Sequence, residues 1–147
     1  LATGNAPTHD LFEDILVPVA SPHFVNKMLQ KPEYLLKHRL IHDERPEGWN
    51  DWFAAAGMAH ADVSARLDYS DREMALRAAE AGHGVALCTA GFVAGLGSRD
   101  THLFKVCSGE LDTGHVWRAQ TTEKELSDNV TSQVWKWLCG QTPNYAG

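Results

Sequence analysis

The stretch Asp68–Leu87, DYSDREMALRAAEAGHGVAL, constrains what this chain can fold into more than any other segment. It reads as the end of a strand, a capped helix, a glycine turn and a second strand. Ser70 is placed to cap the helix, and Glu73 three residues later completes a capping-box pattern. From Met74 to Ala81 the residues are small and apolar on most sides, as a helix lying against a sheet requires. Gly82-His83-Gly84 then ends it, because glycine adopts the left-handed turn that releases a helix into a strand. The N–H groups of Ser70 to Arg72 are free to face an anion at the helix start. An ordinary αβ unit with a good cap accounts for the same residues.

The remaining segments follow the same alternation. Residues 1–10 are small and polar and read as a loop. Residues 11–20, LFEDILVPVA, form a strand with Ile15, Leu16, Val17 and Val19 buried, and Pro18 marks a sheet edge or a departure from the ladder. Ser21 and Pro22 open a helix that runs to about Gln30, and Lys31-Pro32 breaks it. RLIHD (39–43) is a short buried strand and ERPEG a turn. Trp49, Trp52, Phe53 and Ala56 recur at helical spacing before Gly57 stops them. Val63, Ala65, Leu67 and Tyr69 alternate as on a half-buried strand, and Ala90–Leu96 is a short helix. HLFKVC (102–107) is a strand, SGELDTG a hydrophilic turn region, and HVWRAQT (115–121) alternates again. A last helix spans about Glu123 to Cys139, with Leu126, Val130, Val134, Trp137 and Leu138 on one stripe, and the tail QTPNYAG is loose. Strands alternating with helices predict an α/β protein with a mostly parallel sheet, in one compact domain or two small lobes for 147 residues.

Several function classes are disfavoured. A net charge of −6 does not suit a surface that grips a phosphate backbone, so any DNA-binding surface lies elsewhere. The three cysteines, Cys88, Cys107 and Cys139, are far apart and form no CxxC, which fits reduced thiols in a cytoplasmic protein. No apolar run approaches the roughly 20 residues of a membrane span. The eight histidines lack ligand-like spacing, so neither a metal nor another cofactor is expected. No GxSxG, HExxH or phosphate loop is present, and GHGVA follows a helix instead of opening one, so no enzyme is expected. Cys88 at the end of a buried strand reads as core, and Trp135 and Trp137 as packing for the closing helix. The opening Leu-Ala-Thr-Gly suggests a fragment or a processed chain.

The order of these motifs resembles the effector-binding domain of LysR-type transcriptional regulators, which has the periplasmic-binding-protein-like (type 2) fold. The pieces are LFEDILVPVASPHF, KPEYLLKHRLIHDE, WNDWFAAAG, LDYSDREMALRAAEAGHGVAL and, less closely, HVWRAQTTEK with the helix ending in VWKWL. They look closest to the branch containing the glycine-cleavage and β-lactamase activators. The resemblance implies two α/β lobes with a small-molecule effector between them. On that pattern residues 1–20 are part of the first lobe and a hinge strand, 21–113 a complete second lobe, and 114–147 the return strand and closing helix. The winged helix-turn-helix and the opening elements of the first lobe are absent from the sequence, so DNA contact would run through that missing N-terminal domain. A partial first lobe leaves strand edges uncovered, which favours a homo-oligomer.

Ser21, Trp49, Asn50, Ser70 and Asp71 match positions that line the cleft in such regulators. Hydroxyls, N–H donors and an aromatic wall suit a small anion or amino-acid-like metabolite. Plain capping by the serines, dipole stabilisation by Asp71 and plain packing by Trp49 are the competing accounts. Beside a regulatory domain stands the alternative of a free-standing small-solute-binding or protein-interaction module.

Overall fold

Apolar residues alternate along the strands, and that alternation decides which face of the sheet each one covers. The structure, a computed structural model, describes residues 6–25, 30–96 and 102–140. It divides into two units, one of Leu1–Asp14 with Gly114–Gly147 and the other of Ile15–Thr113. The elements in chain order are β1 (Thr8–Ala20), α1 (Pro22–Val25), α2 (Pro32–Leu35), β2 (Leu40–His42), α3 (Trp49–Ala55), β3 (Arg66–Asp68) and α4 (Arg72–Glu80). They continue with β4 (Val85–Thr89), α5 (Ala90–Leu96), β5 (Phe104–Lys105), β6 (Leu111–Gln120), α6 (Glu123–Leu126) and α7 (Asn129–Gly140).

In the unit Ile15–Thr113 the strand order is β3-β2-β4-β1-β5. β2 pairs in parallel with β3 and with β4, whereas β1 runs antiparallel to β4 and β5. The sheet is therefore mixed, not mostly parallel. Helical crossovers between β2, β3 and β4 enforce parallel neighbours, but nothing local fixes the direction of β1, which comes from far back in the chain. Leu16, Ala20, Leu40, Val85 and Leu87 face one side and pack on Trp49, Trp52 and Phe53 of α3. Val17, Val19, Ile41, Ala86 and Cys88 face the other and pack on Ala75, Ala78 and Ala79 of α4. The two helices thus cover opposite faces, and the residues of β4 are buried throughout.

Pro18 stands opposite Leu87 in an interior strand, not at a sheet edge. The structure tolerates it because β5 is only a two-residue strand, pairing from Val19 and Ala20 onward, and the Pro18 carbonyl accepts from Val106 N–H at 3.0 Å. At the end of α4, Gly82 N–H donates to the Ala79 carbonyl and His83 N–H to that of Ala78, both at 3.0 Å. Gly82 has φ +82°, so this is the Schellman stop that the glycine turn predicts. Gly84 serves differently: a Cβ there would overlap the Arg39 carbonyl oxygen, which accepts from Val85 N–H as β4 joins β2.

In the other unit β6 pairs with β1. Trp117 Nε1 donates to Asp14 Oδ1 at 3.1 Å, its ring lies 6.3 Å from that of Phe12, and Arg118 pairs with Asp10. The strand β1 begins at Thr8 and β6 at Leu111, so the polar segments around them are strand where a loop and a turn were expected. The last helix is broken in two. Asp128 Oδ2 accepts from Thr131 N–H at 2.8 Å and caps α7, because an Asp competes well for the free N–H groups of a helix start. The expected apolar stripe is divided with the helix: Leu126 lies on α6, while Val130, Val134 and Trp137 lie on α7 and are exposed, Trp137 by 63%. The extension of the helix after Val25 and the C-terminal tail lie outside the described residues.

Candidate functional site

Open α/β sheets bind ligands beyond the carboxyl ends of parallel strands, where successive crossovers leave on opposite faces. β2 meets this condition, since α3 follows it on one face and α4 returns from β3 on the other. A pocket of about 230 Å³ lies at its end. Its wall is built by Ile41, His42 and Asp43, by the turn residues Arg45, Pro46 and Gly48, and by Trp49, Asn50 and Asp51 at the start of α3. Arg66, Ala75, Ala86 and Leu87 complete it.

The turn after β2 is held by one carboxylate. Asp43 Oδ1 accepts the Arg45 backbone N–H at 3.1 Å, and its two oxygens accept Arg45 Nε–H at 3.0 and 3.1 Å. Arg72 Nε stands 3.7 Å from Oδ2. Both partners of the first pair are nearly enclosed, with 6% of the Arg45 side chain and 8% of the Asp43 side chain exposed. Asp43 uses only Nε, so Arg45 Nη1 and Nη2 are buried without a hydrogen-bond partner among the described residues, as is His42 Nε2. A buried donor left unsatisfied costs about 1–3 kcal/mol, and more for a charged group. Burial, and then the positive charge of Arg66, lower the His42 pKa against the opposing pull of Asp68 and Asp43.

The residues expected at the site are distributed unevenly. Trp49 and Asn50 do line this pocket. Trp49 is only 1% exposed; its Nε1–H donates to the Ile41 carbonyl at 2.9 Å and its ring packs 5.7 Å from those of Trp52 and Phe53. Its donor is already used, so it offers a ligand a wall and no hydrogen bond. Asn50 is exposed at the rim.

Asp71, not Ser70, caps α4: Asp71 Oδ1 accepts from Glu73 N–H at 2.6 Å and Met74 N–H at 3.1 Å. A carboxylate is the stronger acceptor at the positive end of a helix, so the helix starts one residue later. With Asp71 as the cap, Glu73 stands at the second helical position, one short of where a capping box needs it, and its carboxylate pairs with Arg77 at 2.8 Å. The helix start already carries its own anion, which works against an anionic ligand there. Ser70 and Asp71 are both exposed and lie outside the pocket lining, although Arg72 and Ala75 connect α4 to it.

Ser21 is 1% exposed and also lies outside that lining. Its Oγ is buried without a hydrogen-bond partner among the described residues, 3.5 Å from where a Cβ on Gly82 would stand.

Asp43, Arg45 and His42 were not among the residues expected at the site. The available signal was an acid and an arginine two apart directly after a buried strand, but RLIHDERPEG reads equally well as a solvated turn. Among the described residues, no group of three or more His, Cys, Asp or Glu side chains is placed to hold a metal ion.

Together these features define a periplasmic-binding-protein-like α/β domain with a polar pocket at its strand ends. Residues 5–138 match the family described as the LysR substrate binding domain, and the chain belongs to that family. It is 35% identical over 128 residues to the HTH-type transcriptional activator AmpR of Pseudomonas aeruginosa, covering 85% of this chain and 42% of that protein. It is 37% identical over 89 residues to the glycine cleavage system transcriptional activator of Escherichia coli, covering 57% of this chain and 29% of that protein. The chain thus spans less than half the length of these curated relatives.

Among solved structures, the effector domain of the transcriptional regulator AmpR of Pseudomonas aeruginosa superposes with a TM-score of 0.66 at 28% identity. That match covers 94% of this chain and 66% of the other. The AmpR effector binding domain from Citrobacter freundii gives 0.69 at 22% identity, covering 95% and 68%, and supports the fold.

Proposed function

We propose that this chain is the effector-sensing part of a LysR-type DNA-binding transcriptional regulator. It would bind a small metabolite on the unit Ile15–Thr113 and pass the binding free energy to a winged helix-turn-helix encoded with it. The match of residues 5–138 to the LysR substrate binding domain carries this reading. The names of the relatives, both transcriptional activators, support it and favour a non-enzymatic role in the cytoplasm. No helix among the described residues is long and apolar enough to cross a membrane.

The effector contacts we propose are Trp49 and Asn50 in the pocket at the end of β2, with Ser70, Asp71 and Ser21 further out. Support is strongest for the first two, which share that pocket. Regulation would be a population shift: an effector moves an equilibrium only by its difference in affinity for the two states. Taking a regulator from 1:99 to 99:1 requires about 5.5 kcal/mol of such difference. One hydrogen bond to a charged group contributes about 1.5–3 kcal/mol, so two to four contacts present in only one state suffice. We also propose a homo-oligomer, for which a mass by light scattering above that of one chain is the expected result.

Calorimetric screening of small metabolites against the intact regulator tests the reading. At least one small anion or amino-acid-like metabolite is expected to bind and to change the affinity for promoter DNA. If a broad panel leaves both the heat signal and DNA affinity unchanged, the effector reading fails.

A further inference from the structure

We propose that the pocket at the end of β2 is a carboxylate site anchored by Arg45, selective for small monocarboxylic acids. This rests on the effector reading for the biological role of the ligand, but its chemistry rests on the pocket alone. The first support is the state of the Arg45 side chain. It is more than nine-tenths buried, its Nε is fixed by both oxygens of Asp43, and its Nη1 and Nη2 are buried with no partner among the described residues. Fixing Nε orients the guanidinium plane and leaves its terminal nitrogens available. Arginine presents donors in a rigid fork that matches the two oxygens of a carboxylate, so a ligand carboxylate would be taken in two-point contact.

The second support is the charge of the wall. Asp43 and Asp51 oppose Arg45 and Arg66, so the charged lining residues sum to zero before a ligand enters. The flanking Asp68 and Arg72, in ion pairs with Arg66 and Asp43, add one charge of each sign. A monoanion adds a single charge that the Arg45 fork meets. A dianion such as phosphate brings a second charge beside Asp43 and Asp51, and among the described lining residues the other cation, Arg66, is already paired with Asp68. The third support is size and polarity. At about 230 Å³ the pocket is smaller than drug-sized sites, which hold roughly 300–1,000 Å³. Ile41, Trp49 and Leu87 give it an apolar wall for a short carbon skeleton. His42 Nε2, also buried and without a partner among the described residues, is a second polar point for a hydroxyl or amino substituent.

The test is a titration of the 147-residue chain followed through the Arg45 Nε–H and His42 ring signals by NMR, with acetate, acetamide and inorganic phosphate as probes. Acetate is expected to shift both signals saturably, acetamide to leave them in place, and phosphate to bind at least fivefold more weakly than acetate. Arg45→Gln is expected to weaken acetate binding at least tenfold. Should that variant fail to fold, Arg45→Lys retains the charge that Asp43 requires, and loss of the fork is expected to weaken acetate at least fivefold. Equal acetate affinity in wild type and the folded variant overturns the proposal, as does an acetamide response equal to that of acetate. Failure of the regulatory reading is distinguishable: acetate would still bind through Arg45 while no small acid altered DNA affinity of the intact regulator.

Discussion

Replacing Asp71 by alanine tests how the start of α4 is built. Asp71 Oδ1 satisfies the free N–H groups of Glu73 and Met74, two of the four that a helix start leaves without partners. Loss of an Asp cap costs about 0.5–2 kcal/mol, and about 0.3–1 kcal/mol of that scale is the charge acting on the helix dipole. Asp71 is exposed, so we place Asp71→Ala at about 1–1.5 kcal/mol and Asp71→Asn, which caps equally well without the charge, at a few tenths. Ser70→Ala should fall within about 0.5 kcal/mol of wild type, as for a surface residue away from any special feature. For a chain of this length, about 1 kcal/mol corresponds to roughly 2–4 °C in Tm. Urea unfolding followed by circular dichroism gives the cost, and amide exchange at Glu73 and Met74 locates it. Equal costs for Ser70→Ala and Asp71→Ala, or unchanged exchange at those amides in Asp71→Ala, would refute the assignment of the cap.

Three further outcomes follow from the pocket and its sheet. Trp49→Phe removes the 2.9 Å hydrogen bond to Ile41 and part of a fully buried ring; a loss of about 2–4 kcal/mol in urea is expected, and a loss below about 0.5 kcal/mol would show that Trp49 is not structural. Gly84→Ala drives a methyl into the Arg39 carbonyl that receives Val85 N–H, and a cost of about 1–3 kcal/mol is expected in thermal unfolding, against no change if β4 can shift away. The pKa of His42 is lowered by burial and by Arg66, so the unfolded chain binds the proton more readily and stability is lost as pH falls through the unfolded value of about 6.5 towards the folded one. Comparing urea midpoints at neutral and mildly acid pH, His42→Gln should flatten part of that slope; an unchanged slope contradicts it.

Much of the fold was legible because its signals are local. The spacing of Trp49, Trp52, Phe53 and Ala56 marks α3, Gly82 marks the stop of α4, and the buried run from Val85 marks β4. Strand direction was not legible, since β1 meets β4 and β5 only in tertiary structure. The cap of α4 was misassigned because serine and aspartate are both good caps and stand side by side. The helix expected from Glu123 to Cys139 was divided by Asp128, whose side chain bonds its neighbours' backbone more favourably than it continues a helix. Of the residues expected at a site, Trp49 and Asn50, marked by their place after a turn, line the pocket at the end of β2. The enclosure of Arg45 was not legible because arginine in a turn is normally solvated, and only the Asp43 carboxylate beside it makes enclosure affordable.

In the proposed reading a small metabolite binds the unit Ile15–Thr113 at the carboxyl end of β2. The most direct measurement is backbone amide NMR of the 147-residue chain titrated with a panel of small organic acids. At least one acid is expected to bind saturably, with its shifts concentrated in residues 41–51 and 66–75. Saturable binding whose shifts fall outside those segments, or no binding across the panel, would contradict it.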